Sequence, residues 1–510
     1  MANSYKAAGA AEKALVLVAV CLAALSMPLT FTGPAVALPA IGRALGGSPI
    51  ALNWVTNAFM LTFGSSLMAA GALADAYGRK RMFLTGVAAF GLFSALASVS
   101  PSIIWLDLAR AAQGLAAALA FAGGAAALAQ EFEGAGRMRA FSVLGTSFGI
   151  GLSFGPITSG LLIDAFGWAS IFLPVVVAAA FAFLTAARFM RESRDPAATG
   201  LDWPGAASFT VALALLTYGF LKAPEAGWSD PAVIGLLAGA VLSFAIFAII
   251  ERKVARPMLD LSLFRYPRFV GVQLLAAAPA YAFVVLLVLL PVRFVGVEGM
   301  DEIAAGRLMI ALSAPLLILP LVAGWLTRWL PASVLCATGL LVSAAGLFWL
   351  SGVPAGAPAA ALVLPMLTIG VGISLPWGLM DGLAVSVVPT ERAGMATGIF
   401  NTTRVAGEGL ALAVVSAVLS AFTAGHLAAT AHAPSEKLMA AAQRLVTGDL
   451  SAAQILLPDA GHDQVVAQYG FAFSSLLVVL TVITIVTAVV VFLFMGRKTG
   501  PEVLSDAVEA

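Results

Sequence analysis

Apolar runs of about 20 residues recur along this chain, separated by short polar segments that carry most of its charge. A run of that length crosses a ~30 Å hydrocarbon core as one helix. Helices are needed there, because each backbone N–H and C=O in lipid must find its partner inside its own segment. Fourteen such runs can be laid out. With the N-terminus placed inside, the inner polar segments hold 19 of the 27 Lys and Arg residues and the outer side holds 6. That asymmetry predicts both termini on the cytoplasmic side. Lys6, Lys13 and the small residues Ala35-Val36-Ala37 imitate a cleavable signal around the first run. The many spans that follow make an uncleaved first helix the better expectation.

Three polar segments are long enough to shape the organisation. Arg188 to Asp202 and Glu251 to Arg268 bracket the seventh and eighth runs, which read as an insert between two halves. The expected fold is an all-α polytopic membrane protein. Two six-helix bundles stand in a pseudo-twofold arrangement with two inserted helices, 14 spans in all. Residues 1–188 are expected to form the first bundle, and 189–268 the linker with the extra helices. Residues 269–510 are expected to form the second bundle, with an external loop at 422–468. A faint repeat agrees with this division. Ala70-Gly71-Ala72-Leu73 closes the second run and Ala323-Gly324-Trp325-Leu326 the tenth, and a short basic segment follows each. The small and polar residues of the third long segment predict one or two amphipathic surface helices. It holds all three histidines, His426, His432 and His462, at spacings that match no metal-ligand motif.

Composition narrows the function. Hydrophobic residues make up 61% and charged residues 10%, against roughly 25% charged in soluble domains. A net charge of +1 supplies no argument for a nucleic-acid partner. Cys21 and Cys336 both fall inside apolar runs, so a disulfide framework is not expected. No metal-ligand cluster, nucleophile motif or phosphate-binding loop stands out, which sets aside an enzyme, a catalytic residue, a metal and a cofactor.

Charges within the runs are the candidate chemistry, since each costs about 2.5–3.5 kcal/mol to insert. Asp107 and Arg110 sit three apart on one face of the fourth run, as a structural ion pair or as working groups. Asn401, Arg404 and Glu408 follow one stripe of the thirteenth. Glu408 lies near mid-span, where low dielectric favours the neutral acid while Arg404 favours the anion. A lasting Arg404–Glu408 bridge is the alternative to a proton carrier there. Asp381, near the inner end of the twelfth run, is a second carrier candidate or a solvated helix end. The fifth run reads GTSFGIGLSFGPITSGLLID. Its glycines four apart allow close helix approach, and Pro156 bends it.

The segment GALADAYGRKR, between the second and third runs, resembles the loop signature of the major facilitator superfamily. Gly71, Leu73, Asp75, Gly78, Arg79 and Lys80 carry the match. The resemblance implies a conformational latch in alternating access. Gly151, Gly155, Pro156 and Gly160 resemble the superfamily's antiporter signature, which is associated with export. WLDLARAAQG is similar to the fourth-helix pattern at Arg110, Gln113 and Gly114, where the arginine is linked to proton coupling. Asn401-Thr402-Thr403-Arg404, the inserted pair and Asp202-Trp203-Pro204-Gly205 resemble the fourteen-helix drug:proton antiporters. The implied function is proton-coupled export of amphipathic or lipophilic compounds, cations among them, driven by the proton motive force. The implied partners are a small-molecule substrate, protons and the lipid bilayer of a bacterial inner membrane, with the protein a monomer. Candidate proton-coupling residues are then Glu408, Asp381, Arg110, Asp107 and Arg404. Candidate substrate contacts are Thr30, Asn57, Tyr281, Trp377 and Asn401. In one respect the chain departs from the pattern, because Thr30 stands where the first helix usually carries an acid. Either Glu408 or Asp381 then serves a cation, or the cargo is a lipid, siderophore or other metabolite. A non-transporting membrane sensor on the same fold is a further alternative.

Overall fold

The computed structural model describes residues 10–132, 134–194, 202–254, 259, 261–387 and 393–496, all in helices and their connections. The first part comprises α1 (Ala10–Leu45), α2 (Pro49–Tyr77), α3 (Arg79–Ser98), α4 (Ile103–Glu131), α5 (Gly134–Phe166) and α6 (Leu173–Phe189). Then come α7 (Trp203–Ala226), α8 (Pro231–Lys253), α9 (Pro267–Pro279) and α10 (Val285–Pro291). They are followed by α11 (Glu302–Ser313), α12 (Leu319–Leu326), α13 (Ala332–Ser351) and α14 (Ala359–Ser386). The chain closes with α15 (Ala393–Ala428), α16 (Ser435–Val446), α17 (Leu450–Leu456) and α18 (His462–Met495). Thirteen helical segments among the described residues are long and apolar enough to span a bilayer. A bent pair, Val143–Leu152 and Phe154–Phe166, makes a fourteenth. This is an all-helical, multi-pass membrane fold.

Polar residues set where these helices begin. Ser48, Ser102, Asp202, Asp230 and Asp301 cap α2, α4, α7, α8 and α11 by accepting from first-turn N–H groups. Prolines set where they bend. The two parts of α5 meet at 42°, beside Leu152, whose carbonyl loses its donor four residues on at Pro156. The ninth span, Pro267–Val297, widens into π turns at Ala280–Val284 and Val292–Val297, each directly after a proline.

The second π turn carries Arg293 past the end of the apolar run. The arginine lies inside the fold, its Nε 2.7 Å from Glu298 Oε1, with the side chains 1% and 5% exposed. Its guanidinium also lies 4.9 Å from the Phe473 ring centre. The continued helix draws the arginine inward, and the carboxylate with the ring offsets its desolvation.

The long segment expected as an external loop is shorter than 422–468, because α15 continues to Ala428 and α18 starts at His462. Between them, α16 buries Leu438, Ala441, Leu445 and Val446 and packs on α15. Arg444 reaches across to donate to the Gly47 carbonyl at 3.2 Å. Among the described residues no three metal-ligating side chains gather, and His462 Nδ1 lies 3.0 Å from Gln454 Nε2.

Two seams position the candidate site. At the first, α5 is held between α1 and α11. At the second, α2 meets α15 so closely that a Cβ on Gly64 would fall 2.4 Å from the Ala406 nitrogen. Helices α7 and α8 pair with each other, and α7 lies over the α2–α15 seam.

Candidate functional site

Along α15, Asn401, Arg404 and Glu408 share one stripe, as 3.6 residues per turn requires. Arg404 is buried, and its Nη2 donates to Asn401 Oδ1 at 2.9 Å. Its guanidinium lies 5.6 Å from the Phe400 ring centre and 5.9 Å from that of Trp377 on α14. Trp377 meets Phe283 of the ninth span edge to face at 6.2 Å. The arginine's charge is thus shared with an amide oxygen and two π faces. No ion pair within 4.0 Å joins it to Glu408. The Glu408 side chain is 5% exposed. In this conformation the two side chains stand farther apart than an ion pair at 4.0 Å. Asp381 belongs to α14, and its side chain lies outside the described residues.

Arg110 on α4 is built the same way. It is fully buried, donates from Nε to the Val55 carbonyl at 2.8 Å and from Nη1 to Gln113 Oε1. Gln113 passes the contact on, donating to Ser94 Oγ at 2.6 Å. The Phe59 ring lies 4.6 Å from the guanidinium carbon. No ion pair within 4.0 Å joins Arg110 to Asp107, although they stand three apart, and Asp107 Oδ1 and Arg110 Nη2 are buried without partners. The structure brings Arg110 together with α2 and α3 rather than with the acid on its own helix.

The basic segment after α2 is tied within the first six helices. Asp75 Oδ1 pairs with Arg79 at 2.9 Å, and Arg79 also donates to Gln130 Oε1 at the end of α4. Lys80 Nζ donates to the Ala187 carbonyl at 2.8 Å. Helix α3 begins after Gly78 with no side-chain cap of its own. Glu192 supplies one, accepting from the N–H groups of Lys80 at 3.1 Å and Arg81 at 3.2 Å. Sequence reasoning missed Glu192, because its partner lies 112 residues away. Gly78 has φ +115°, and a Cβ there would sit 2.6 Å from Glu192 Oε1, so glycine is required twice over. A Cβ on Gly71 would meet nothing within 4 Å.

The glycines of α5 face two neighbours. A Cβ on Gly151 would fall 2.3 Å from the Leu25 carbonyl oxygen, and one on Gly155 2.1 Å from Thr32 Oγ1, both on α1. One on Gly160 would fall 2.6 Å from the Glu302 carbonyl oxygen on α11. Pro156 stands between these contacts and carries the bend.

The remaining candidates are dispersed. Thr30 is buried and donates to its own helix at the Met27 carbonyl, 2.6 Å away. Asn57 is buried and donates to the Asn53 carbonyl at 2.9 Å, while its Oδ1 has no partner. Tyr281 donates to Thr487 Oγ1 on α18. Only Trp377 and Asn401 join the Arg404 group. Gln273 on α9 was missed by the sequence reading. It is 6% exposed, and neither amide atom has a partner among the described residues. Its signal was legible as a lone amide in the apolar run FVGVQLLAAAPAYAF.

Comparison with known proteins bears on this arrangement. The sequence profile of the Major Facilitator Superfamily matches residues 19–412. The multidrug resistance protein Stp of Mycobacterium tuberculosis (strain CDC 1551 / Oshkosh) is 33% identical over 395 residues, covering 77% of this chain and 73% of Stp. The puromycin resistance protein pur8 of Streptomyces alboniger is 32% identical over 418 residues, covering 81% and 83%. Among solved structures, a bacterial homologue of the human lysosomal transporter Spinster superposes with TM-score 0.62 at 15% identity. It covers 97% of this chain and all of its own. That likeness concerns the fold alone.

Proposed function

The chain belongs to the Major Facilitator Superfamily, and we propose on that premise that it is a proton-coupled exporter of drug-like, lipophilic small molecules. The names of Stp and pur8, a multidrug and a puromycin resistance protein, support the direction and the substrate class. The single observation that carries the coupling is Glu408. It is a buried carboxyl in the middle of a spanning helix, with no bond to the arginine one turn away. An acid so placed can take up and release a proton without first breaking a salt bridge. Both termini face the cytoplasm of a bacterial cell, by the lysine and arginine bias. Residues 1–188 and 269–510 act as two bundles that tilt about the α2–α15 and α5–α11 seams. Helices α7 and α8 ride outside, and the protein works as a monomer. A proton from outside neutralises Glu408 and favours cargo release, and its loss inside resets the carrier.

One observation favours neutral over cationic cargo. Thr30, at the position where an acid would attract a cation, carries no charge and donates its hydroxyl proton to the Met27 carbonyl. The test is resistance and substrate-stimulated proton flux in an efflux-deficient host or in vesicles, comparing wild type with Glu408→Gln. Loss of both in the variant is expected. Equal resistance in the two proteins removes Glu408 from the mechanism.

A further inference from the structure

The α5–α11 seam is tight at one end and loose at the other. A Cβ on Gly160 would fall 2.6 Å from the Glu302 carbonyl oxygen, and one on Gly149 would fall 3.5 Å from that of Leu316. Gly145 stands one turn farther along the same stripe, and a Cβ there would meet nothing within 4 Å. In the orientation proposed above, this conformation is closed outside and opens inward. The π turn Val292–Val297 stands at the closed end. A Cβ on its Gly296 would fall 2.4 Å from Cα of Gly448, in the connection between α16 and α17. One on Gly448 would lie 3.0 Å from Pro39 Cγ of α1 and 3.2 Å from Val292 Cγ1. The ninth span, α1 and the outer connection thus meet at this turn.

An ion pair inside the turn fits that shape. Residues five apart on an α-helix point about 140° away from each other. A turn closed by an i→i+5 bond brings them to one side. The Glu298 N–H donates to the Arg293 carbonyl at 2.9 Å, and Arg293 Nε donates to Glu298 Oε1 at 2.7 Å. Backbone and side chains therefore close the same five-residue step, and α-helical register would part the pair. Two atoms oppose this state. Arg293 Nη2 and the hydroxyl of Tyr469 on α18 are buried with no hydrogen-bond partner among the described residues. Such groups are costly to hold closed off, and water satisfies both once this end opens. We infer that Arg293 and Glu298 are the lock of the outer exit. Paired, they hold the π turn against α1 and Gly448. Parted, as the turn returns to α-helix, they free the exit. The pair favours the closed form and the two orphaned groups the open one, so the element is bistable. Both are positioning residues, acting through α1 and the outer connection. The inference rests on the exporter reading for its purpose but not for its test.

The test uses the full chain in lipid nanodiscs, with Cys21 and Cys336 changed to serine and one reporter thiol at a time. Val36→Cys on α1 reports the outer end, because Val36 is 1% exposed in the apolar cluster that includes Val292. Gly145→Cys reports the inner gap. The reagent is a water-soluble maleimide. With the pair intact, the thiol of Val36→Cys should react slowly and that of Gly145→Cys fast. Glu298→Gln, and separately Arg293→Gln, should raise the outer rate by about tenfold, a coupling of ordinary size, and lower the inner one. A merely loosened fold would speed both thiols. The double variant Arg293→Gln/Glu298→Gln should be no more open than either single one, since each removes the same pair and the double leaves no lone charge. Gly296→Ala keeps the pair but wedges the turn away from Gly448, and should also speed the outer thiol. Unchanged rates in Glu298→Gln, rates that rise at both ends, or a double variant more open than either single one overturn the lock. Where the charge variants fail to fold, Gly296→Ala decides, and an unchanged outer rate in it overturns the gate at this turn. The assay needs neither cargo nor a proton gradient. A failed lock therefore leaves the exporter reading to its own flux test, and a failed flux test leaves these rates as they stand.

Discussion

Arg110 and Arg404 meet the same difficulty in the same way. Each is buried in a spanning helix with an acid three or four residues off, and each turns instead to a side-chain amide and to aromatic rings. The acids are left to other work. Asp107 and Glu408 could be paired on paper by spacing, but spacing gives proximity and not rotamer choice. Glu192 makes the complementary point, as a carboxylate far along the chain that caps a helix lacking a cap of its own. Glu192→Ala should therefore destabilise the protein by about 1 kcal/mol, the usual worth of a cap. Glu192→Gln keeps an acceptor and should lose less. Thermal melting in detergent checks this, and an alanine variant that melts with wild type would show the cap to be inert.

At the scale of elements, the seams depend on glycines that no side chain can replace. A Cβ on Gly64 would collide with the Ala406 backbone at 2.4 Å, so Gly64→Val must push α2 away from α15. Overpacking of this kind costs about 1–3 kcal/mol. The expected outcome is a lower melting temperature together with failed export, because the same seam must move. Gly71→Ala is the matched comparison, since its new methyl meets open space inside α2, and its melting temperature should not fall below the wild-type value. If Gly64→Val melts and exports as wild type, the seam is looser than the backbone distance implies. The bend in α5 has a local cause in the missing Pro156 donor. Its place between α1 and α11 does not, and follows from glycines at 151, 155 and 160 facing two different partners.

At the scale of the whole molecule, the exporter reading makes an energetic prediction. One charge moving through 100 mV releases ~2.3 kcal/mol, and each ~1.4 kcal/mol sustains a tenfold gradient. One proton exchanged for one neutral molecule therefore supports a concentration ratio of roughly 40 per 100 mV. A monocation exchanged for one proton moves no net charge and draws on the pH difference alone. Vesicles with a potassium-diffusion potential and no pH gradient should thus drive neutral cargo but not a monocation. Voltage-driven transport of the monocation would rule out exchange at one proton per molecule.

The apolar runs, the bend at Pro156 and the motifs that mark the superfamily were all legible in the chain. Each is written within about 20 neighbouring residues, where periodicity, proline geometry and the length of a bilayer-crossing helix govern. The outcome at Arg293 was less legible, because a π turn after Pro291 carries the helix farther than its hydropathy suggests. What only the tertiary structure decided were the partners of buried polar groups. Arg110 bonds to Val55, 55 residues back, Glu192 caps a helix 112 residues back, and α15 offers one face to Trp377 and the other to α7. Those choices depend on which helices pack together and at what rotation. A hydrophobic pattern that is apolar nearly all round leaves that rotation open, and close contacts between small residues then set it.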